Sequence, residues 1–281
     1  YVSSIGSFVD MFEKELSEYL GVKHVILTNN GTSALHSSLI VAGVKENDEV
    51  IVPSLTFVAT SNAVLYCNAI PHFADSEIST LGIDTKNLRQ YLKSEAVYKN
   101  NMLLNKFTGN HIKAILPVHT FGHPCNIDEV IEIAKEYNLI VIEDAAEAIG
   151  SKYNNKSLGT FGDMGTLSFN GNKTITTGAG GAILTNNTTF AKKLKHITTT
   201  AKIRHKWEFM HDKIGYNYRM PNISAAIGLA QLENINSLID KKRNLHKKYS
   251  KNFENNEYVE LFSEKNGCLS NYWFNSIILK E

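Results

Sequence analysis

Apolar residues recur along this chain in two rhythms. In residues 8–20, Phe8, Phe12, Leu16 and Tyr19 stand three or four positions apart, the spacing of one buried helix face. Residues 127–137 repeat that rhythm. Between such stretches lie short β-branched runs, at 24–28, 49–53, 69–74, 113–118, 139–143, 165–169 and 181–185. Alternating strands and helices predict an α/β fold, with a mostly parallel central sheet covered by helices on both faces. From Pro221 the spacing of Ile223, Ile227, Ala230, Ile235 and Ile239 predicts a long helix with proline at its first position. That helix is expected to lead into a second, smaller domain, so residues 1–220 are assigned to a large domain and 221–281 to the start of a small α/β one. Residues 98–110, with three consecutive apolar positions amid Asn, Lys and Gly, predict a polar insertion between a helix and a strand.

Composition narrows the possibilities. A chain of 281 residues that is 43% hydrophobic can bury one large core or two unequal ones. Lys+Arg 29 against Asp+Glu 28 leaves a net charge of +1, which gives no footprint for nucleic acid or an anionic membrane and points to small-molecule partners. Cys67, Cys125 and Cys268 are too scattered for a disulfide framework or a paired metal motif, and suit a reducing cytoplasm. No apolar stretch reaches membrane-spanning length. The opening Tyr1-Val2-Ser3-Ser4 carries no signal pattern, and the strand-like ending at Glu281 suggests a fragment with pieces absent at both ends, so that the small domain is truncated. The basic residues Lys241, Lys242, Arg243, Lys247 and Lys248 are expected on a solvated helix face, and Lys202, Arg204, His205 and Lys206 receive no functional assignment.

Candidate chemistry gathers at predicted strand ends. Lys173 lies between a strand and the turn Thr177-Gly178-Ala179-Gly180-Gly181, with Ser168 five residues before it. A lysine so placed suits Schiff-base chemistry on a phosphorylated aldehyde, pyridoxal 5'-phosphate; a surface lysine beside a tight turn is the plainer alternative. Asp144 ends an apolar strand where open α/β sheets bind ligands, and an aspartate there can keep a pyridine nitrogen protonated or simply cap the next helix. Asn29-Asn30-Gly31-Thr32-Ser33 follows a strand and opens an apolar segment, so its amides and hydroxyls offer an anion site or merely start a helix. Phe57, after another strand, stacks on a ring or fills the core. A dinucleotide fingerprint at Gly178-Ala179-Gly180-Gly181 is refused by its context, because it precedes a strand instead of opening a helix. His119, His123 and Cys125 have zinc-binding types but no standard spacing and no evident fourth ligand.

These segments stand in an order that resembles the DegT/DnrJ/EryC1/StrS family of nucleotide-sugar aminotransferases. The resemblance rests on Gly31-Thr32-Ser33-Ala34-Leu35, Pro53-Ser54-Leu55-Thr56-Phe57, Pro117-Val118-His119, Glu143-Asp144-Ala145-Ala146-Glu147, Ser168-Phe169 with Lys173, the glycine turn, and Gly215-Tyr216-Asn217-Tyr218-Arg219-Met220. It extends over nearly the whole chain and leans toward the branch serving perosamine, bacillosamine and legionaminic acid. It implies fold type I of the pyridoxal phosphate enzymes. It makes Lys173 the cofactor-linked lysine, Asp144 the pyridinium partner, Thr32, Ser33 and Ser168 phosphate ligands, and Phe57 the stacking ring. Glu147 falls beside the cofactor's phenolic oxygen, and Asn217 reaches the neighbouring subunit's phosphate, which implies a homodimer with shared sites. The implied reaction moves an amino group from an amino acid, glutamate, to a nucleotide-linked 4-keto-6-deoxyhexose for polysaccharide synthesis. A non-catalytic cofactor-binding homologue is the alternative, disfavoured by the joint presence of Lys173 and Asp144. A dehydratase is another, disfavoured because that branch carries histidine at the lysine position. Ala179 departs from the glutamate or glycine of many relatives.

Overall fold

The computed structural model describes residues 3–4, 6–203 and 205–280; Arg204 lies outside them. Seven strands form the central sheet, in the spatial order His24–Thr28, Gly181–Thr185, Met164–Ser168, Ile140–Asp144, Ile112–Ile115, Glu49–Pro53 and Ile70–Ala74. Only Gly181–Thr185 runs against its neighbours, and the pairs among the following five strands are parallel. This is the mostly parallel sheet of the fold-type-I expectation; three of the seven strands match their predicted bounds and the other four lie within three residues of them.

Both faces of the sheet are covered, and successive residues divide between them as the strand period of two requires. Ile26, Val50, Val52, Ile142 and Ile183 share a core with the helices Gly31–Val41 and Thr188–Thr198. Their neighbours Val25, Leu27, Ala182 and Leu184 pack instead with Phe12 and Leu16 of the helix Ser7–Leu20. Ile51, Ile115 and Val141 pack with Leu88, Leu92, Val130 and Ile133 of the helices Thr85–Glu95 and Ile127–Glu136. Burial on both sides is why these strands are continuous apolar runs.

Two elements differ from the sequence expectation. The helix expected from Pro221 is two helices, Asn222–Glu233 and Ile235–Phe253, separated at Asn234, and Pro221 is the extended residue before the first of them (ψ 146). Ala225, Ile235 and Ile239 of this pair lie in the core that holds Phe12 and Leu16. The expected polar insertion is a β-hairpin, Ala96–Lys99 with Met102–Asn105, turning through Asn100 and Asn101, both at positive φ. Its Leu103 is buried against the sheet, so the middle one of the three apolar residues has a packing role, while Met102 is exposed. No helix among the described residues is long and apolar enough to cross a membrane.

Candidate active site

The carboxyl ends of the parallel strands converge on a cavity of about 390 Å³, whose walls include Thr32, Phe57, Asp144, Glu147, Ser168, Lys173 and Trp273. Six residues expected from sequence thus meet in one place. Ser33 and Asn217 are not among its lining. Ser33 is buried, and its N–H donates 2.7 Å to the Asn30 side chain. Asn217 is exposed and accepts from the Arg219 guanidinium at 3.3 Å.

The cavity is floored by the start of the helix Gly31–Val41. Asn30, extended at φ −168 and ψ 168, caps it, and the first N–H groups have no acceptor within the helix. The Asn30 side chain takes the N–H of Ser33 and its carbonyl that of Ala34, and Asn30, Gly31 and Thr32 line the cavity. A Cβ on Gly31 would stand 3.0 Å from the Ser168 Cβ, so glycine lets the helix start close on the strand end that carries Ser168. Gly181 serves likewise: a Cβ there would meet the Asn30 backbone at 2.5 Å.

Asp144 is 6% exposed; its Oδ2 accepts from Thr60 Oγ1 at 2.8 Å and its Oδ1 from the Ala146 N–H at 3.1 Å. Burial is the largest influence on its pKa and raises it, against the pull of these two donors, Lys173 and His119. Behind it, Glu143 is fully buried on the opposite side of the same strand. Its carboxylate takes the N–H groups of Gly159, Phe161 and Gly162 at 2.6–2.9 Å and His119 Nε2 at 3.0 Å. The His119 Nδ1 accepts the Cys125 N–H at 3.3 Å, which fixes the ring. His119 is therefore a hydrogen-bonded strand-end histidine. His123 packs edge-on against Phe262 and Tyr272, with its pKa pushed down to about 4 by burial. Among the described residues no three His, Cys, Asp or Glu side chains gather as a metal site.

Lys173 Nζ lies 3.1 Å from Glu147 Oε1, and the other Glu147 oxygen accepts the Phe121 N–H at 2.8 Å. Phe121 delivers that N–H from a left-handed conformation (φ 57), uncommon for an aromatic residue. Burial raises the Glu147 pKa, opposed chiefly by Lys173. Pairing with the lysine is how this carboxylate is accommodated. Over the lysine lies Trp273, its ring centroid 3.9 Å from Nζ.

Sequence reasoning missed Thr60, Glu143 and Trp273. It also misread two basic residues, because Lys242 and Arg243 do not sit on a solvated face. Lys242 Nζ donates 3.1 Å to the Trp273 carbonyl, while Arg243 pairs with Glu264 at 2.7 Å and bonds the Ser270 carbonyl. Helical spacing from Ile239, a core residue, to Arg243 is the signal that places this arginine inward.

The donor set fits a ligand bearing an anionic group, a basic ring nitrogen and an electrophilic carbon. A helix start with two hydroxyls would take the first, Asp144 the second and Lys173 the third. Pyridoxal 5'-phosphate has those three parts. The model of the DegT/DnrJ/EryC1/StrS aminotransferase family matches residues 1–281. A curated relative from Escherichia coli O157:H7 named GDP-perosamine synthase is 43% identical over 280 residues, which are 100% of this chain and 72% of the relative. A DegT DnrJ EryC1 StrS aminotransferase from Brucella abortus superposes with a TM-score of 0.88 at 31% identity, covering 99% of this chain and 70% of that one. NtdA from Bacillus subtilis, solved with bound cofactor PMP, does so with a TM-score of 0.85 at 30% identity, over 99% and 60%.

Proposed function

Because the chain belongs to the DegT/DnrJ/EryC1/StrS aminotransferase family, we propose that it aminates C4 of a GDP-linked 4-keto-6-deoxyhexose, with L-glutamate as donor. Its class is that of a pyridoxal phosphate-dependent sugar-nucleotide aminotransferase of fold type I. The choice of nucleotide is supported by the 43% identity to a relative named for a GDP sugar. The unpaired cysteines Cys67, Cys125 and Cys268 suit a cytoplasmic location. One observation carries the residue assignment: Lys173 and Asp144 line a single cavity that opens on a helix N-terminus.

When bound, pyridoxal phosphate supplies an electron sink and carries the amino group between donor and acceptor. Lys173 Nζ would hold the cofactor at its aldehyde carbon and, as general base and acid, would take the proton from the donor's α-carbon and return it to that former aldehyde carbon, on the far side of the transferred nitrogen. Asp144, held by Thr60 and Ala146, would keep the ring nitrogen positive. Thr32, Ser168 and the start of the Gly31–Val41 helix would hold the phosphate, while Ser33, which lies outside the cavity lining, would reach it only if its hydroxyl turned inward. Phe57, in the cavity wall, would cover one face of the ring. Glu147 would face the phenolic oxygen of the ring, with its own charge balanced by Lys173.

Asn217 is assigned to the phosphate of a second subunit in a homodimer with shared sites. Two features support this. Asn217 is exposed and stands outside its own cavity. Phe57, Val58, Leu65 and Tyr66 leave large apolar surface exposed on and beside the helix Val58–Tyr66, as do Trp207, Phe209 and Ile214 in the segment before Asn217, the surface composition of a protein contact.

Incubation with glutamate and UDP-, GDP- and dTDP-linked 4-keto-6-deoxyhexoses tests the substrate reading. A 4-amino product from the GDP sugar is expected, and preference for another nucleotide or amination at C3 would overturn it. Lys173→Ala is expected to lose both the visible band of the bound cofactor and turnover; a normal rate in that variant sinks the assignment.

A further inference from the structure

Trp273 has no role in the assignment above, yet it makes the closest aromatic approach to the reacting amine. Its ring centroid is 3.9 Å from Lys173 Nζ, and the indole is 6% exposed. Trp273 Nε1 donates 2.7 Å to the carbonyl of Asn172, the residue before the lysine. The ring is therefore tied to the loop whose side chain it covers.

The backbone around Trp273 is held with unusual completeness. Its N–H donates 2.8 Å to Asn271 Oδ1, and the fully buried Asn271 amide donates to the carbonyls of Glu147 at 2.8 Å and Ile149 at 2.9 Å. Tyr272 between them is left-handed at φ 47, a costly conformation that persists only where the surroundings over-determine it. Lys242 fixes the Trp273 carbonyl from the other side.

Resting on the reading of Lys173 as the reacting amine, we propose that Trp273 is a positioning residue that holds the unattached Lys173 ammonium by the face of its ring. A lysine that is both bonded partner and proton carrier is free during part of each cycle, and its flexible four-carbon stem would then sample many rotamers. Glu147 meets Nζ at 3.1 Å and supplies the charge. The indole face supplies a second attraction in a desolvated place, where a cation on an aromatic ring is held most strongly. Together they leave Nζ one place to stand, beside the cavity in which Asp144 and Ser168 also lie.

The test is acylation of Lys173 by an amine-reactive ester in the cofactor-free full chain, followed residue by residue with mass spectrometry at one fixed pH. Native protein, Trp273→Phe and Trp273→Leu are compared; leucine covers the lysine without a π face. Lys156, over the Phe161 ring at 4.3 Å, is the internal control. Labelling of Lys173 is expected to rise about tenfold in the leucine variant and to stay within about twofold of native in the phenylalanine variant, with Lys156 unchanged throughout. Equal rates in the two variants, or a leucine variant as slow as native, overturn the proposal. Should the leucine variant not fold, Trp273→Met takes its place with the same expectation. Because no cofactor is present, a native protein that never develops the cofactor's visible band would sink the functional reading and leave this outcome intact.

Discussion

Asp144 is held by a hydroxyl and a backbone amide in a place where burial works against its charge. Removing the charge and removing one of its supports should therefore differ in size. Asp144→Asn is expected to fold and to lose at least about a hundredfold in kcat/KM, since a neutral amide no longer favours a protonated ring nitrogen. Thr60→Val takes away one hydrogen bond to a charged group, about 1.5–3 kcal/mol, and should cost about ten- to a hundredfold with Asp144 unchanged; steady-state kinetics on the two variants, with circular dichroism to establish folding, checks both. A threonine variant as damaged as the asparagine variant would mean that Thr60 does more than orient the carboxylate. Lys173 and Asp144 were legible in the sequence because each sits where a strand stops and chemistry must begin. Thr60 was not, because a threonine in the helix Val58–Tyr66 looks like any other helical residue until the fold brings it to a strand 84 positions away. Trp273 was hidden for the same reason, its Asn172 partner lying 101 positions upstream.

Among the elements, those buried on both faces announced themselves, and those that depend on a distant polar partner did not. The strand Glu49–Pro53 shows both behaviours. Val50, Ile51 and Val52 made it easy to find, but the reason for its first residue lies in the hairpin read as an insertion. Glu49 is 1% exposed and accepts hydrogen bonds from His72 Nδ1 at 2.8 Å, Asn105 Nδ2 at 2.9 Å and the Thr108 hydroxyl. Asn105 ends the hairpin, so Glu49 pins that element to the sheet. Burial pushes the Glu49 pKa up, but the hydrogen bonds from Asn105, Thr108 and His72 outweigh it and hold the carboxyl below its ordinary value of 4.5. A depressed carboxylate pKa contributes stability that is complete above the unfolded value and is lost as pH falls through the folded one. Acid titration of the melting temperature should thus show a loss in native protein below about pH 4.5 that Glu49→Gln lacks, with Tyr91 and Glu95 the other ionisable groups beside the pin. At neutral pH the glutamine variant should be less stable by about 1–3 kcal/mol, because it offers one acceptor oxygen where three donors converge. Identical acid profiles would remove Glu49 from this role.

At the scale of the whole molecule, the segment that carries Asn217 is built to present it outward. Tyr216 and Tyr218, on either side, stack with ring centroids 5.0 Å apart, and both pack on the buried His36, whose Nδ1 lies 3.2 Å from the Tyr218 hydroxyl. His36 belongs to the helix whose start floors the cavity. Alternation along an extended segment then turns Asn217 away from the tyrosine pair, toward solvent in a single chain and toward a partner in a dimer. If Asn217 completes the neighbouring site, two crippled proteins can repair each other. A chain with Lys173→Ala still offers a sound Asn217, and a chain with Asn217→Ala still offers a sound Lys173. Each homodimer should be inactive or nearly so. Random exchange makes half the dimers mixed, and each mixed dimer has one complete site of its two, so a mixture dissociated and reassembled in equal amounts should recover about a quarter of native activity. Gel filtration tests for the dimer, and the assay on the mixture reads the sharing. If Asn217 instead served its own subunit, no mixed dimer would contain a complete site, because one chain would lack the lysine and the other the asparagine; reassembly would then recover nothing, and the shared-site arrangement would have to be abandoned while the dimer itself stood.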